Sequence, residues 1–237
     1  MSRVKLPGSL KVKKILLSIL VVVAIGVVVK VGIDNRREKE TNEKIISEEI
    51  ADRERIKKEE EEIRRALEEK EEALYSEAYN SFFGELNYKD TIDKANILIQ
   101  EFPQSYKGYN IRGIAKAYNG SFEDGMQDIE KALELKDDYG YARFNKALNY
   151  ELYNRLDDAL IWYDKALEVE EYIWSHYGKA SIYGRRGDVE NTVSNLKKAI
   201  DLAAKSGQDQ GVKEEAKTEH DFDPVRGKSE FEDLINS

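Results

Sequence analysis

From Ala73 onward the chain repeats itself. Apolar residues at helical spacing alternate with turn-forming residues, and Gly113, Ala147 and Ala180 stand at matching places 34 and 33 residues apart. A fixed period of this length means that one supersecondary unit recurs, and helical spacing on both sides of each turn makes that unit a pair of helices. A lone pair cannot bury its apolar face, so neighbouring units have to stack into a continuous solenoid.

Three units can be laid over one another: YNIRGIAKAYNGSFEDGMQDIEKALELKDD from Tyr109, FNKALNYELYNRLDDALIWYDKALEVEE from Phe144 and YGKASIYGRRGDVENTVSNLKKAIDL from Tyr177. Small residues recur at Gly113, Ala147 and Ala180, where two helices must approach closely. Gly120, Asn154 and Gly187, which tolerate left-handed turn geometry, follow them. Phe122, Leu156 and Val189 come next, and Ala132, Ala166 and Ala199 close each second helix. These units resemble the tetratricopeptide repeat (TPR). The resemblance implies an all-α, right-handed superhelix in which the first helix of every pair faces a concave surface that binds another protein.

The array is expected over residues 73–203, as a degenerate repeat at 73–105 and regular ones at 106–139, 140–172 and 173–203. In the degenerate unit Tyr75, Tyr79, Phe82, Tyr88 and Pro103 keep the spacing, while Leu86 replaces the turn glycine and Thr91 the small residue. Residues 204–237 read as a linker and closing segment, GVKEEAKTEHDFDPVRGKSEFEDLI, similar to those that end TPR arrays. Phe222, Val225, Phe231 and Leu234 would bury against the last repeat, with a helix boundary at Asp223 before Pro224.

The other end of the chain is a different polymer. Residues 15–33 read ILLSILVVVAIGVVVKVGI, uncharged from Ile15 to Val29. At about 1.5 Å per residue this matches the roughly 30 Å hydrocarbon layer. Lys30 can snorkel to the headgroups. A cleaved secretory signal is the competing reading. It needs small residues in an A-x-A-like pattern, and Lys30, Val31, Gly32, Ile33 and Asp34 lack it, which favours an uncleaved signal anchor. Arg3, Lys5, Lys11, Lys13 and Lys14, in residues 1–14, precede the run without an acidic residue, whereas Arg36, Arg37 and Lys39 are interleaved with Asp34, Glu38 and Glu40. The bias puts the N-terminus in the cytoplasm and the repeats outside it.

Residues 34–72 are mostly charged. Between Arg36 and Glu72 there is no Gly or Pro, and acid-to-base pairs four apart recur, among them Glu40 to Lys44 and Glu49 to Arg53, so a long solvated helical stalk is expected. Ile56, Ile63, Leu67 and Leu74 offer part of a coiled-coil seam. Glu49, Arg53, Glu60 and Lys70 interrupt it, leaving a self-associating spacer and weak homo-oligomerisation as the alternative reading.

Chemistry is hard to find in this chain. There is no cysteine, and the two histidines, His176 and His220, are a whole repeat apart, so neither a thiolate nor a histidine metal site is expected. Nothing resembles a nucleophile elbow or a phosphate-cradling glycine loop, and no cofactor or catalytic activity is expected. A net charge of -9 argues against nucleic acid as a partner. What remains is an adaptor or scaffold with two contacts: a bilayer through residues 15–33, and another protein through the concave surface, in the assembly or export of envelope proteins. The residues that the resemblance puts on that surface are Asn80, Phe83, Asn110, Ile114, Tyr118, Tyr141, Phe144, Leu148, Leu152, Trp174, Tyr177 and Arg185. They form a mostly aromatic groove for a peptide or helix. The basic and amide set with which some TPR proteins clamp a terminal carboxylate is replaced here by Ser76, Ile111 and Tyr141.

Overall fold

The computed structural model describes residues 9–236; Arg3 and Lys5 of the basic flank lie outside them. Every regular element among the described residues is helical. The chain divides into two units, residues 1–66 and 67–237. Helix α1 (Leu10–Phe83) crosses the boundary without a break, as expected of a stretch in which Pro is absent and Gly occurs only at Gly26 and Gly32 before Gly84.

In the first unit every described residue is exposed. Among the described residues α1 alone is long and apolar enough to cross a membrane by length and composition. Its polar part carries ion pairs one turn apart, Arg36–Glu40 at 3.5 Å, Lys39–Glu43 at 3.8 Å and Lys44–Glu48 at 3.7 Å. Here the base precedes the acid, the reverse of the order that the sequence pattern offers. At full exposure either order is worth only a few tenths of a kcal/mol.

The second unit is a stack of antiparallel helix pairs. The end of α1 packs with α2 (Tyr88–Glu101), α3 (Tyr106–Tyr118) with α4 (Phe122–Leu135), α5 (Gly140–Leu152) with α6 (Leu156–Leu167), and α7 (Ile173–Arg185) with α8 (Val189–Ala204). The four turns share one device. Leu86, Gly120, Asn154 and Gly187 have φ of 51°, 101°, 57° and 70°, at intervals of 34, 34 and 33 residues. A left-handed residue at this point reverses the chain tightly enough for the two helices to lie side by side. Thus Leu86 holds the glycine geometry that the degenerate repeat had to reproduce without glycine.

Inside each pair, small residues set the spacing. A Cβ at Gly113 would lie 2.8 Å from the Gly125 carbonyl oxygen, and a Cβ at Gly125 would lie 2.8 Å from that of Gly113. Ala147 and Ala159 hold the same positions one repeat later and are fully buried. In both outer pairs a threonine takes the second position: Thr91 and Thr192 are buried and turn their hydroxyls back onto the carbonyls of Asn87 and Asp188, at 2.9 and 2.6 Å. Side-chain caps from Asn87, Ser105, Ser121 and Asp188 satisfy the first amides of α2, α3, α4 and α8.

The closing segment folds as α9 (Asp209–Thr218), a 3₁₀ turn (His220–Val225) and α10 (Ser229–Asn236). Phe222, Val225, Phe231 and Ile235 bury against Tyr177, Leu196 and Ile200 of α7 and α8, while Leu234, assigned to this contact from the sequence, packs at its edge. Without this cover the last pair would expose its apolar face.

Candidate functional site: an aromatic cavity with an acidic wall

The first helices of the pairs turn their side chains to a shared interior, and between them lies a cavity of about 690 Å³. Its aromatic side comes from successive helices: Tyr79, Phe82 and Phe83 from α1, Tyr118 from α3, Tyr141 and Phe144 from α5, Trp174 and Tyr177 from α7, and Tyr172 just before α7. The rings support one another. Tyr141 stacks on Phe144 with centroids 5.9 Å apart, Tyr172 meets Phe144 edge-on at 5.0 Å, and Trp174 meets Tyr177 edge-on at 5.4 Å. Trp174 remains 41 % exposed and Leu152 likewise 41 %, so part of this lining is open to solvent.

Burial changes how these phenols titrate, because the apolar surroundings disfavour the phenolate. Tyr75, packed beside Ala78 and Phe82, is pushed up to about 12, first by burial and then by Tyr79. Tyr118 and Tyr172 are also pushed up to about 12, again by burial first. Tyr141 goes higher still, through burial and the neighbouring Tyr172.

A further part of the lining is polar. Glu151 sits near the C-terminal end of α5 and is buried. It accepts hydrogen bonds from the Tyr163 hydroxyl at 2.5 Å and from Arg185 Nη2 at 2.6 Å. Arg185 Nε in turn lies 2.9 Å from Asp221 Oδ1, and the Ser181 hydroxyl donates to Asp221 Oδ2 at 2.5 Å. Burial raises the Glu151 carboxyl above its ordinary value, while Tyr163 and Arg185 pull it back. Tyr163 comes from the second helix of its pair and reaches the cavity because Gly178 has no side chain to block its ring. Glu219 of the closing segment completes this wall.

Of the residues assigned to the groove from sequence, Phe83, Ile114, Tyr118, Tyr141, Phe144, Leu148, Leu152, Trp174, Tyr177 and Arg185 all line this one cavity. Two lie elsewhere. Asn110 is fully buried, its Oδ1 accepting from Asn145 Nδ2 at 3.1 Å between α3 and α5. A polar side chain at that depth needs a partner, and the packing supplies one inside the helix layer. Asn80 is exposed on α1 and outside the cavity lining. Sequence reasoning missed Glu151, Tyr163, Ser181, Glu219 and Asp221. A signal for Glu151 does exist: it is a carboxylate between Tyr150 and Leu152 on a helix whose neighbouring first-helix positions are apolar.

The histidines are engaged locally. His176 is buried with Nε2 2.8 Å from Glu171 Oε2, and His220 is exposed with Nδ1 3.1 Å from Asp223 Oδ2.

The repeat unit is that of solved TPR-type structures. A TPR protein of Thermus thermophilus aligns at 21% identity over 60% of this chain and 80% of its own, with a TM-score of 0.52. PilW, a type IV pilus biogenesis factor, aligns at 16% identity over 70% of this chain and 78% of its own, also with a TM-score of 0.52. No protein-family model and no curated protein sequence matches the chain. The fold is a tetratricopeptide-repeat solenoid.

Proposed function

We propose that this tetratricopeptide-repeat chain is a membrane-tethered interaction scaffold: residues 15–33 anchor it, residues 34–72 form the stalk, and the array at 73–203, closed by 204–237, holds a peptide or helix of another protein in its aromatic cavity. The observation that carries this reading is the convergence of aromatic residues from five helices on one cavity of about 690 Å³ with Trp174 still exposed. Large rings on rigid helices are favoured anchors for protein partners, and an open apolar site of this size is a partner or ligand site by default. Among the described residues no histidine lines the cavity, and its one serine, Ser181, is held between the Glu151 and Asp221 carboxylates, so a scaffold fits it better than an enzyme.

The basic flank before residue 15 supports a cytoplasmic N-terminus with the repeats on the far side of the membrane. A role in assembling or exporting envelope proteins is compatible with that placement, and PilW, which shares the fold, is a pilus biogenesis factor. Alanine at Tyr141 and Trp174 together tests the cavity. Partner capture by the full chain is expected to disappear while the helical circular-dichroism signal stays, and retained capture would refute the reading. A membrane-impermeant protease added to intact cells is expected to digest the repeats; their protection would refute the topology.

A second reading draws on Ile56, Ile63 and Leu67, which stand exposed on α1 at spacings of seven and four. It makes the chain a spacer that self-associates through the stalk without a peptide ligand. Sedimentation of the full chain in detergent separates the two, since a monomer excludes the spacer.

A further inference from the structure

We infer that the cavity selects a cationic apolar segment, a stretch of protein in which a lysine or arginine stands next to a large apolar side chain. This rests on the reading of the cavity as a peptide site and adds the chemistry of its occupant. The charged residues lining the cavity are Glu151, Glu219, Asp221 and Arg185, three carboxylates against one guanidinium. That guanidinium is already paired: Nη2 donates to Glu151 at 2.6 Å, and Nε lies 2.9 Å from Asp221 Oδ1 as an ion pair without the alignment of a hydrogen bond. A ligand carboxylate entering here would therefore meet like charge and find Arg185 committed, whereas an ammonium or guanidinium would meet unbalanced negative charge. Arg226 of the closing segment does not restore the balance. It points to Asp223 at 2.8 Å and to the carbonyl oxygens of Lys217 and Glu219 at 2.5 and 2.7 Å.

The apolar side works in the same direction. The faces of Tyr118, Tyr141, Tyr172 and Trp174 carry the negative lobe of the aromatic quadrupole, so they accept both an apolar anchor and the stem and head of a lysine or arginine. Negative carboxylates beside aromatic faces, in a chain of net charge -9, form one complementary surface for a positively charged, apolar strand or helix.

The test begins with a phage-displayed library of random twelve-residue peptides, panned against the full chain in detergent micelles and, in parallel, against its Trp174→Ala form. Enrichment of Lys- or Arg-containing apolar peptides on the first and not on the second supports the inference. Trp174-dependent enrichment of neutral or acidic peptides overturns it and leaves the cavity as a peptide site. Absence of any Trp174-dependent enrichment removes both. The strongest enriched basic peptide is then labelled, and its affinity measured by fluorescence anisotropy beside a copy with its basic residues changed to Gln. Glu219→Gln, and separately Glu151→Gln, are expected to weaken the basic peptide about tenfold and leave the Gln copy unchanged. Equal weakening of both peptides by both variants would mean that the carboxylates only hold the scaffold, and would overturn the inference.

Discussion

Gly178 on α7 stands directly against the phenol of Tyr163 on α6: a Cβ at Gly178 would fall 2.5 Å from the tyrosine oxygen. The fully buried Tyr163 reaches Glu151 only along this path. Gly178→Ala is therefore expected to destabilise the repeats by about 2 kcal/mol, because overpacking forces the ring off its site and breaks the hydrogen bond. Urea unfolding followed by circular dichroism measures this, and an unchanged midpoint would contradict the geometry.

The four left-handed turn residues make a paired prediction. Gly120 has φ of 101° with open space around its Cβ position, so Gly120→Ala suffers backbone strain alone and should cost about 1 kcal/mol. Leu86 adopts the same kind of conformation with a side chain that is 66 % exposed. Leu86→Gly removes the strain and little burial, and should raise stability by about 0.5 kcal/mol. Opposite shifts of the thermal midpoint are expected.

Asp128 is a heavily committed carboxylate of the array. It is 5 % exposed and takes Arg112 through two bonds of 2.7 Å and Lys116 through a third of 2.7 Å. Removing one member of a buried ion pair leaves the others uncompensated, so Asp128→Ala is expected to cost about 3 kcal/mol. Arg36→Ala, which breaks the exposed pair with Glu40, should leave the unfolding midpoint where it was.

The buried phenols make the repeats sensitive to alkali. Tyr75, Tyr118 and Tyr172 are held near 12 against an ordinary value of 10.0. A folded-state value above the unfolded one means that stability is complete below pH 10 and drains away as the pH rises from 10 towards 12, since the unfolded chain loses these protons first. Absorbance titration at the phenolate band should show a late component that coincides with loss of helix. A single component centred at 10, with the helix intact, would contradict it.

The repeat period was legible because each pair solves the same packing problem with the same residue types: Gly113 and Ala147 under a second helix, Gly120 and Asn154 at the turn. The face on which Tyr141, Phe144 and Trp174 meet was legible for the same reason, since helical spacing carries a residue to a known side. Asn110 shows the limit. A polar residue at a first-helix position reads as surface, yet Asn110 is fully buried with its Oδ1 accepting from Asn145 of α5. Of the acidic wall only Glu151 left a trace in the sequence, and its meeting with Ser181 and Asp221 left none. Glu151 and Ser181 are 30 residues apart and Ser181 and Asp221 are 40 apart. Their meeting depends on how α5, α7 and the closing turn pack, which no local pattern encodes. The stalk's ion pairs failed for a milder reason: exposed long side chains choose among several partners of nearly equal worth.

The acidic wall also gives the cavity a schedule. Glu151 is made 70 residues before Asp221, and the turn that bears Asp221 is held by Phe222, which packs on Phe231 of the final helix at a centroid distance of 5.4 Å. During synthesis the aromatic side and the Glu151–Arg185 pair can assemble as soon as α7 has emerged, but Glu219 and Asp221 join them only when the closing segment follows. A nascent chain therefore passes through a stage in which the pocket holds its aromatic rings and a balanced Glu151–Arg185 pair, and the excess of negative charge arrives only with the closing segment.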